Sequence, residues 1–223
     1  MKYLVVTATS AEVAPLKELL GEGERIGLRL TRHRKGDHLI DILVTGVGMV
    51  ATSYWIARTL KSYSYQVAVN AGICGSFSTS LQIGEVVHVV SDSFPELGAE
   101  SADNFITLSD LKMLDPNEFP FVDGILKNTG PLYNEALAGL KAVKGVTVNT
   151  VHGNLESIRK LEERVQADVE SMEGASFFFV SFLENTPCIQ LRAVSNYVGP
   201  RDKSKWNIPL AIRNLNIVLA NLL

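Results

Sequence analysis

Three polar residues stand where a ligand could meet them. Glu12 follows the apolar, β-branched run 3–8, which has the pattern of a buried strand, across Thr9-Ser10-Ala11. A carboxylate delivered from a strand end can orient and deprotonate a water molecule. The plainer alternative is a capping box, Thr9-x-x-Glu12. Pro15 speaks against it, because with Thr9 as N-cap the proline falls inside the helix and removes a hydrogen bond. Glu173 precedes Phe177-Phe178-Phe179, so it opens a largely buried helix and its carboxylate needs hydrogen-bond donors. A first-turn carboxylate that only complements the helix dipole is the competing reading. Met172 either fills a core gap or touches the ligand. Asn196 follows a buried strand at 188–194; its amide offers donors and an acceptor to a ligand, or caps the next turn.

Elements that would position these residues alternate along the chain. Strands are expected at 3–8, 26–33, 38–45, 67–70, 85–90, 146–151 and 188–194. Helices are expected at 12–20, closed by Gly21, and at 50–62, 134–141, 155–163, 173–183 and 207–223. Lys35-Gly36-Asp37 reads as a turn needing positive φ, and 71–76 as a loop of small residues. Residues 93–130, with Pro95, Pro116 and Pro120, lack periodicity and form an excursion. Its Phe94, Phe105, Phe119 and Phe121 suit a core. This alternation predicts an α/β fold with its sheet covered on both faces. Ligands then bind at strand C-terminal ends, where Ala8 to Glu12, Gly46-Val47-Gly48, Ala71 to Ser76, Met172-Glu173 and Ser195-Asn196 fall.

Composition narrows the class. The chain has 223 residues, 46% of them apolar and 20% charged, and a net charge of −3, which gives no basic stripe for nucleic acid. No apolar run reaches the roughly 20 residues that span a bilayer, and the N-terminus reads as a strand rather than a signal peptide. A cytoplasmic protein without membrane partners is expected. Cys74 and Cys188 sit in apolar stretches and suit buried free thiols better than a disulfide. His33, His38, His88 and His152 have no ligand spacing among themselves or with the cysteines, so no metal is expected. Gly46-x-Gly48 lacks the third glycine of a dinucleotide loop.

Taken in order, the motifs resemble the purine nucleoside phosphorylase and nucleosidase superfamily from end to end. Asn70-Ala71-Gly72-x-Cys74-Gly75, followed by Ile83-Gly84-Glu85-Val86-Val87, is similar to that family's glycine loop and next strand. Val169-Glu170-Ser171-Met172-Glu173-Gly174-Ala175 resembles its Met-Glu ribose motif, with one residue more before the methionine. Arg192-Ala193-Val194-Ser195-Asn196 resembles its base-binding segment. Residues 7–13 resemble the first loop of the methylthioadenosine/S-adenosylhomocysteine nucleosidases, which puts Glu12 on their water-activating glutamate. The resemblance implies one domain over residues 1–223, with a central twisted mixed sheet flanked by helices, in a homo-oligomer. It implies a small purine nucleoside as ligand and no organic cofactor. Glu173 and the backbone near Met172 would hold the ribose, while Val47, Ile73, Cys74, Gly75, Val151 and Ser195 would line the pocket. His152 would line it too, or stand in solvent. The excursion would cover the substituent at the ribose 5′ end.

Two residue types sharpen this. Phosphorylases of the superfamily hold phosphate with a first-loop arginine, whereas Thr7 to Glu12 offers a carboxylate and no arginine, which favours hydrolysis. Adenine-specific relatives carry aspartate at the position of Asn196. An amide instead donates to O6 of a 6-oxopurine and accepts from a protonated N7, where a carboxylate would face two acceptors. The run from Ser195 to Asp202 with Trp206, Phe94-x-x-Leu97-Gly98-Ala99-Glu100-Ser101, and Thr147 to Val151 resemble futalosine hydrolases. That resemblance implies release of hypoxanthine in the menaquinone pathway through futalosine. The alternatives are another purine nucleoside as substrate, or a nucleoside-binding protein without catalysis. Asp202 reads as an ion-pair partner of Arg201, or as a proton relay to the base.

Overall fold

A computed structural model of the protein describes residues 1–102, 104–130 and 135–223. The chain opens on β1 (Lys2–Thr7), whose Leu4, Val5 and Val6 are fully buried, as a strand flanked on both sides requires. A 3₁₀ turn (Ser10–Val13) and α1 (Ala14–Leu20) follow. This split resolves the objection raised by Pro15. The proline sits in the first turn of α1, so Glu12 reaches back to Thr9 without an interior proline. Then come β2 (Glu24–Arg25), β3 (Leu30–Lys35), β4 (His38–Val44) and α2 (Met49–Ser62). Gly36 turns between β3 and β4 at φ +56°.

Next is β5 (Val67–Ser76), a single ten-residue strand. The small-residue stretch 71–76 is therefore not a loop. Gly72 and Gly75 have low strand propensity, but close approach of neighbouring groups demands them: a Cβ on Gly72 would meet Glu12 Oε1 at 2.9 Å and Arg192 Nη1 at 3.0 Å. β6 (Val86–Asp92) leads into the excursion, which contains a hairpin, β7 (Gly98–Ser101) with β8 (Asn104–Thr107), and β9 (Leu126–Lys127) on the edge of β6. The helix expected at 134–141 is the single turn α3 (Glu135–Ala138); Asn134 lies outside the described residues. The strand expected at 146–151 lies earlier, as β10 (Lys141–Thr147), because its parallel register with β6 starts at Lys141. That shift leaves Val151 and His152 on a connecting segment.

The remaining elements are α4 (Leu155–Arg164), β11 (Val169–Ser171), α5 (Gly174–Leu183), β12 (Cys188–Tyr197) and α6 (Ile208–Leu222). Strand order is β11-β10-β6-β12-β5-β1-β4-β3-β2, and β11 also pairs antiparallel with β5. The mixed sheet thus closes on itself through β5, β12, β6, β10 and β11. On one side Phe177 and Phe178 of α5 are completely buried against it; on the other, Ala211, Leu215 and Leu219 of α6 are. No helix among the described residues is long and apolar enough to cross a membrane.

Candidate active site

A cavity of about 280 Å³ opens at the C-terminal ends of β1, β5 and β12. Glu12, Val47, Ile73, Cys74, Gly75, Val151, Met172, Glu173, Ser195 and Asn196 all line it. The structure therefore gathers all five segments assigned to strand ends in one place.

Glu12 is 8% exposed and held from several sides. Its Oε2 accepts from the Thr9 N–H at 2.9 Å, the Thr9 hydroxyl at 3.0 Å and the Thr7 hydroxyl at 3.1 Å. Its Oε1 accepts the Ile73 N–H at 3.2 Å, which leaves a lone pair on that oxygen. The capping contact and the cavity-facing carboxylate thus coexist, one oxygen for each. The turn is anchored from α6, where Asn216 accepts the Leu16 N–H at 3.0 Å and donates to the Glu12 carbonyl at 2.8 Å. One buried amide closes an orphan donor of α1 and fixes the loop that carries Glu12.

Glu173 caps no helix with its side chain; Oε1 accepts the Gly48 N–H at 3.0 Å. Gly46 and Gly48 have φ of +90° and +95°, which lets this loop turn its amides and Val47 toward the cavity. Burial pushes the Glu173 carboxyl above the usual carboxylate range, with the Arg192 charge opposing that rise. Asn196 is also buried. Its Oδ1 accepts the Ser195 hydroxyl at 2.8 Å and its Nδ2 donates to the Tyr197 carbonyl at 3.1 Å. Tyr197 O can only accept, so this fixes which end of the amide is nitrogen. One N–H and one oxygen lone pair remain. Ser195 Oγ also lies 3.1 Å from the Cys74 carbonyl, so its one proton is shared between two acceptors and the side chain buttresses the wall. Burial pushes the Cys74 thiol up to about 12, which keeps it neutral and apolar at physiological pH.

His152 takes neither expected place: it does not line this cavity, and its side chain, 8% exposed, borders a neighbouring cleft with Glu96, Glu100 and Arg164. Its N–H donates to Glu170 Oε1 at 3.1 Å, and its Nδ1 lies 2.9 Å from Oε2. A carboxylate 2% exposed requires such partners, and it captures the histidine. Asp202 caps the turn Lys203–Lys205 through Ser204 and lies 3.6 Å from Lys205, while Arg201 stacks over Trp206. The expected Arg201–Asp202 pair is thus replaced by these contacts.

The sequence reading gave no role to Glu170, Trp206, Ile208 or Ile212, which also line the cavity, or to Arg192 beneath it. Arg192 is 1% exposed, donates to Asn70 Oδ1 and leaves Nε without a partner in the described structure. A cation inside the apolar strand 188–194 was the available signal. Behind it, Asp92 bonds Thr147 Oγ1 at 3.0 Å and Gln190 Nε2 at 3.1 Å, while Thr147 Oγ1 accepts the Ala175 N–H at 2.7 Å. This chain fixes the start of α5 and hence Glu173.

Burial pushes the Asp92 carboxyl up to about 6. A carboxyl raised on folding contributes most below its unfolded value of 3.8 and loses that contribution as pH rises through about 6. Asp92→Asn removes the buried charge, and Gln190 Oε1, which has no partner, can accept from the new amide. The variant should be about 2–3 kcal/mol more stable than the parent at pH 8 and gain little at pH 4. Denaturant titrations at both pH values measure it; equal gains at both would refute the charge argument.

A closed mixed sheet with a carboxylate-lined cavity at its strand ends defines the class of fold and site. The chain belongs to the phosphorylase superfamily, whose family model matches residues 2–223. It is 32% identical to a futalosine hydrolase of Streptomyces coelicolor, over 100% of this chain and 95% of that one. It is 33% identical to a futalosine hydrolase of Acidothermus cellulolyticus, over 100% and 90%. A crystal structure of the 5′-methylthioadenosine/S-adenosylhomocysteine nucleosidase of Colwellia psychrerythraea with adenine shares the fold, with a TM-score of 0.81, 20% identity and coverage of 100% and 94%.

Proposed function

We propose that this protein is a purine nucleosidase that hydrolyses the N-glycosidic bond of futalosine and releases hypoxanthine. The observation that carries the reading is the charge of the cavity. Its lining includes Glu12, Glu170 and Glu173 and, among the described residues, no lysine or arginine. Such a wall repels phosphate and accepts water, so hydrolysis prevails over phosphorolysis. The futalosine hydrolases among its relatives agree with the free groups on Asn196.

In this reading Glu173 accepts from ribose hydroxyls, beside Met172. The C1′–N9 bond breaks first, its electron pair passes to the base, and an oxocarbenium-like sugar remains. N7 takes a proton from solvent as the bond breaks, the free N–H of Asn196 donates to O6 and its oxygen accepts from N7–H, a preorganised stabilisation of the leaving group. Glu12 takes a proton from the water whose oxygen bonds to C1′.

Turnover of futalosine should proceed without phosphate and give hypoxanthine and a free reducing sugar in equal amounts. Product analysis with and without phosphate decides it. A sugar 1-phosphate as main product would refute hydrolysis.

A further inference from the structure

The mechanism above engages Glu12, Glu173 and Asn196 and leaves an apolar wall of the cavity unused. Trp206, just before α6, and Ile208 and Ile212 within it make that wall. With the base on Asn196, the ribose hydroxyls on Glu173 and the water on Glu12, it is left for the 5′ side of the sugar. Among the described residues none of the excursion 93–130 lines the cavity to compete for that place. Segment 198–207 delivers the tryptophan. The Val198 N–H is tied to the Ser76 carbonyl at 2.8 Å and the Asn207 N–H to the Ser195 carbonyl at 2.9 Å. A loop that leaves and rejoins the sheet at its strand ends stands over the cavity they frame. Gly153 lets it settle on the segment carrying Val151, since a Cβ there would lie 3.7 Å from Arg201 Cβ.

Arg201 is the unspent charge of this loop. It is exposed, and its guanidinium stands over the Trp206 ring, with Cζ 5.3 Å from the centroid. Among the described residues it has no hydrogen bond or ion pair. The adjacent Asp202 is held by the Ser204 N–H at 3.1 Å and lies 3.6 Å from Lys205. Other arginines near the cavity are committed: Arg29 Nη1 donates to the Thr45 carbonyl at 2.9 Å, and Arg192 to Asn70. Stacking orients the Arg201 fork and leaves its N–H groups free, an arrangement that takes a carboxylate through two parallel bonds. An anion inside the cavity faces Glu12, Glu170 and Glu173, whereas one held beyond Trp206 faces Arg201. The site thus separates an apolar spacer, against the indole, from a terminal negative charge.

We propose that Arg201 is a specificity-determining residue that binds a carboxylate at the far end of the 5′ substituent, with the Trp206 indole against the planar group that carries it. The proposal rests on the reading of this cavity as a futalosine site, since the 5′ substituent of futalosine ends in a benzoate. It places the choice among 6-oxopurine nucleosides at the mouth of the cavity, away from the bond that breaks.

Steady-state kinetics with futalosine, its methyl ester and inosine test it in the parent protein, Arg201→Gln and Arg201→Lys. The ester keeps the aryl group and loses the charge; inosine lacks both. The parent should favour futalosine over the ester in kcat/KM by about 10-fold or more, the usual effect of a hydrogen bond to a charged group. Arg201→Gln should raise KM for futalosine by about the same factor and leave kcat within about threefold, as loss of a remote binding contact does. Both neutral substrates should stay within about threefold of their parent values. Arg201→Lys keeps the charge without the planar fork and should recover part of the loss. An equal loss for all three substrates shows that Arg201 only braces its loop, and overturns the proposal. An unchanged KM for futalosine in Arg201→Gln, or a parent indifferent to esterification, overturns it too. A parent that hydrolyses inosine and leaves futalosine intact overturns the futalosine reading itself, so the two failures are distinct.

Discussion

Asn196→Asp should lower kcat/KM for futalosine by at least about 10²-fold, the usual effect of removing a preorganised donor from a leaving-group site. The new carboxylate faces O6 with lone pairs and cannot donate. It also meets the Tyr197 carbonyl, which now receives the Asn196 amide at 3.1 Å. The parent should favour futalosine over methylthioadenosine by about 10⁴-fold, as sites built to pair specific polar groups do when those groups are mismatched. In the variant this ratio should fall by about 10²-fold or more. Specificity is the informative readout, because the Tyr197 clash weakens every substrate alike whereas the O6 mismatch weakens only one class. The measurement is kcat/KM for both substrates with both proteins, alongside their melting temperatures. A parent that prefers methylthioadenosine would return the site to adenine.

β1 could be read from the residues because it carries a continuous apolar run, and β4 and β12 because polar residues interrupt theirs at only a few places. β1, β4 and β12 are buried through most of their length, and so are their sequence patterns. What could not be read depends on long-range register. β11 has three residues, too few for periodicity, yet it pairs parallel with β10 and antiparallel with β5 and so closes the sheet. Glu170 gains its place in the cavity wall only through that closure. The glycines of β5 mislead for a related reason: locally they signal a loop, and only the groups packed over them explain a strand. Glu12, Glu173 and Asn196 were legible because each ends or follows a recognisable element. Arg192 was not, since a buried cation takes its meaning from carboxylates distant in sequence.

The contacts of Glu12 make its replacement by glutamine a demanding test. The Oε2 position collects three donors, so the amide oxygen of glutamine must settle there. The amide nitrogen then takes the Oε1 position, where the Ile73 N–H points at it from 3.2 Å. A donor facing a donor costs about 1–3 kcal/mol, so some loss of melting temperature is expected and does not by itself argue for a structural role. The chemistry separates the two. Glutamine presents an N–H to the water where the parent presents a lone pair, so the water is neither oriented nor deprotonated. At a temperature where both proteins are folded, kcat should fall by about 10²–10⁴-fold. KM should stay within about threefold, because the lost partner is the water and not the nucleoside. If Glu12 served only as the cap of its turn, the retained contact to Thr9 would preserve the loop. The variant would then melt earlier and turn over futalosine at the parent rate, an outcome that would remove Glu12 from the catalytic machinery.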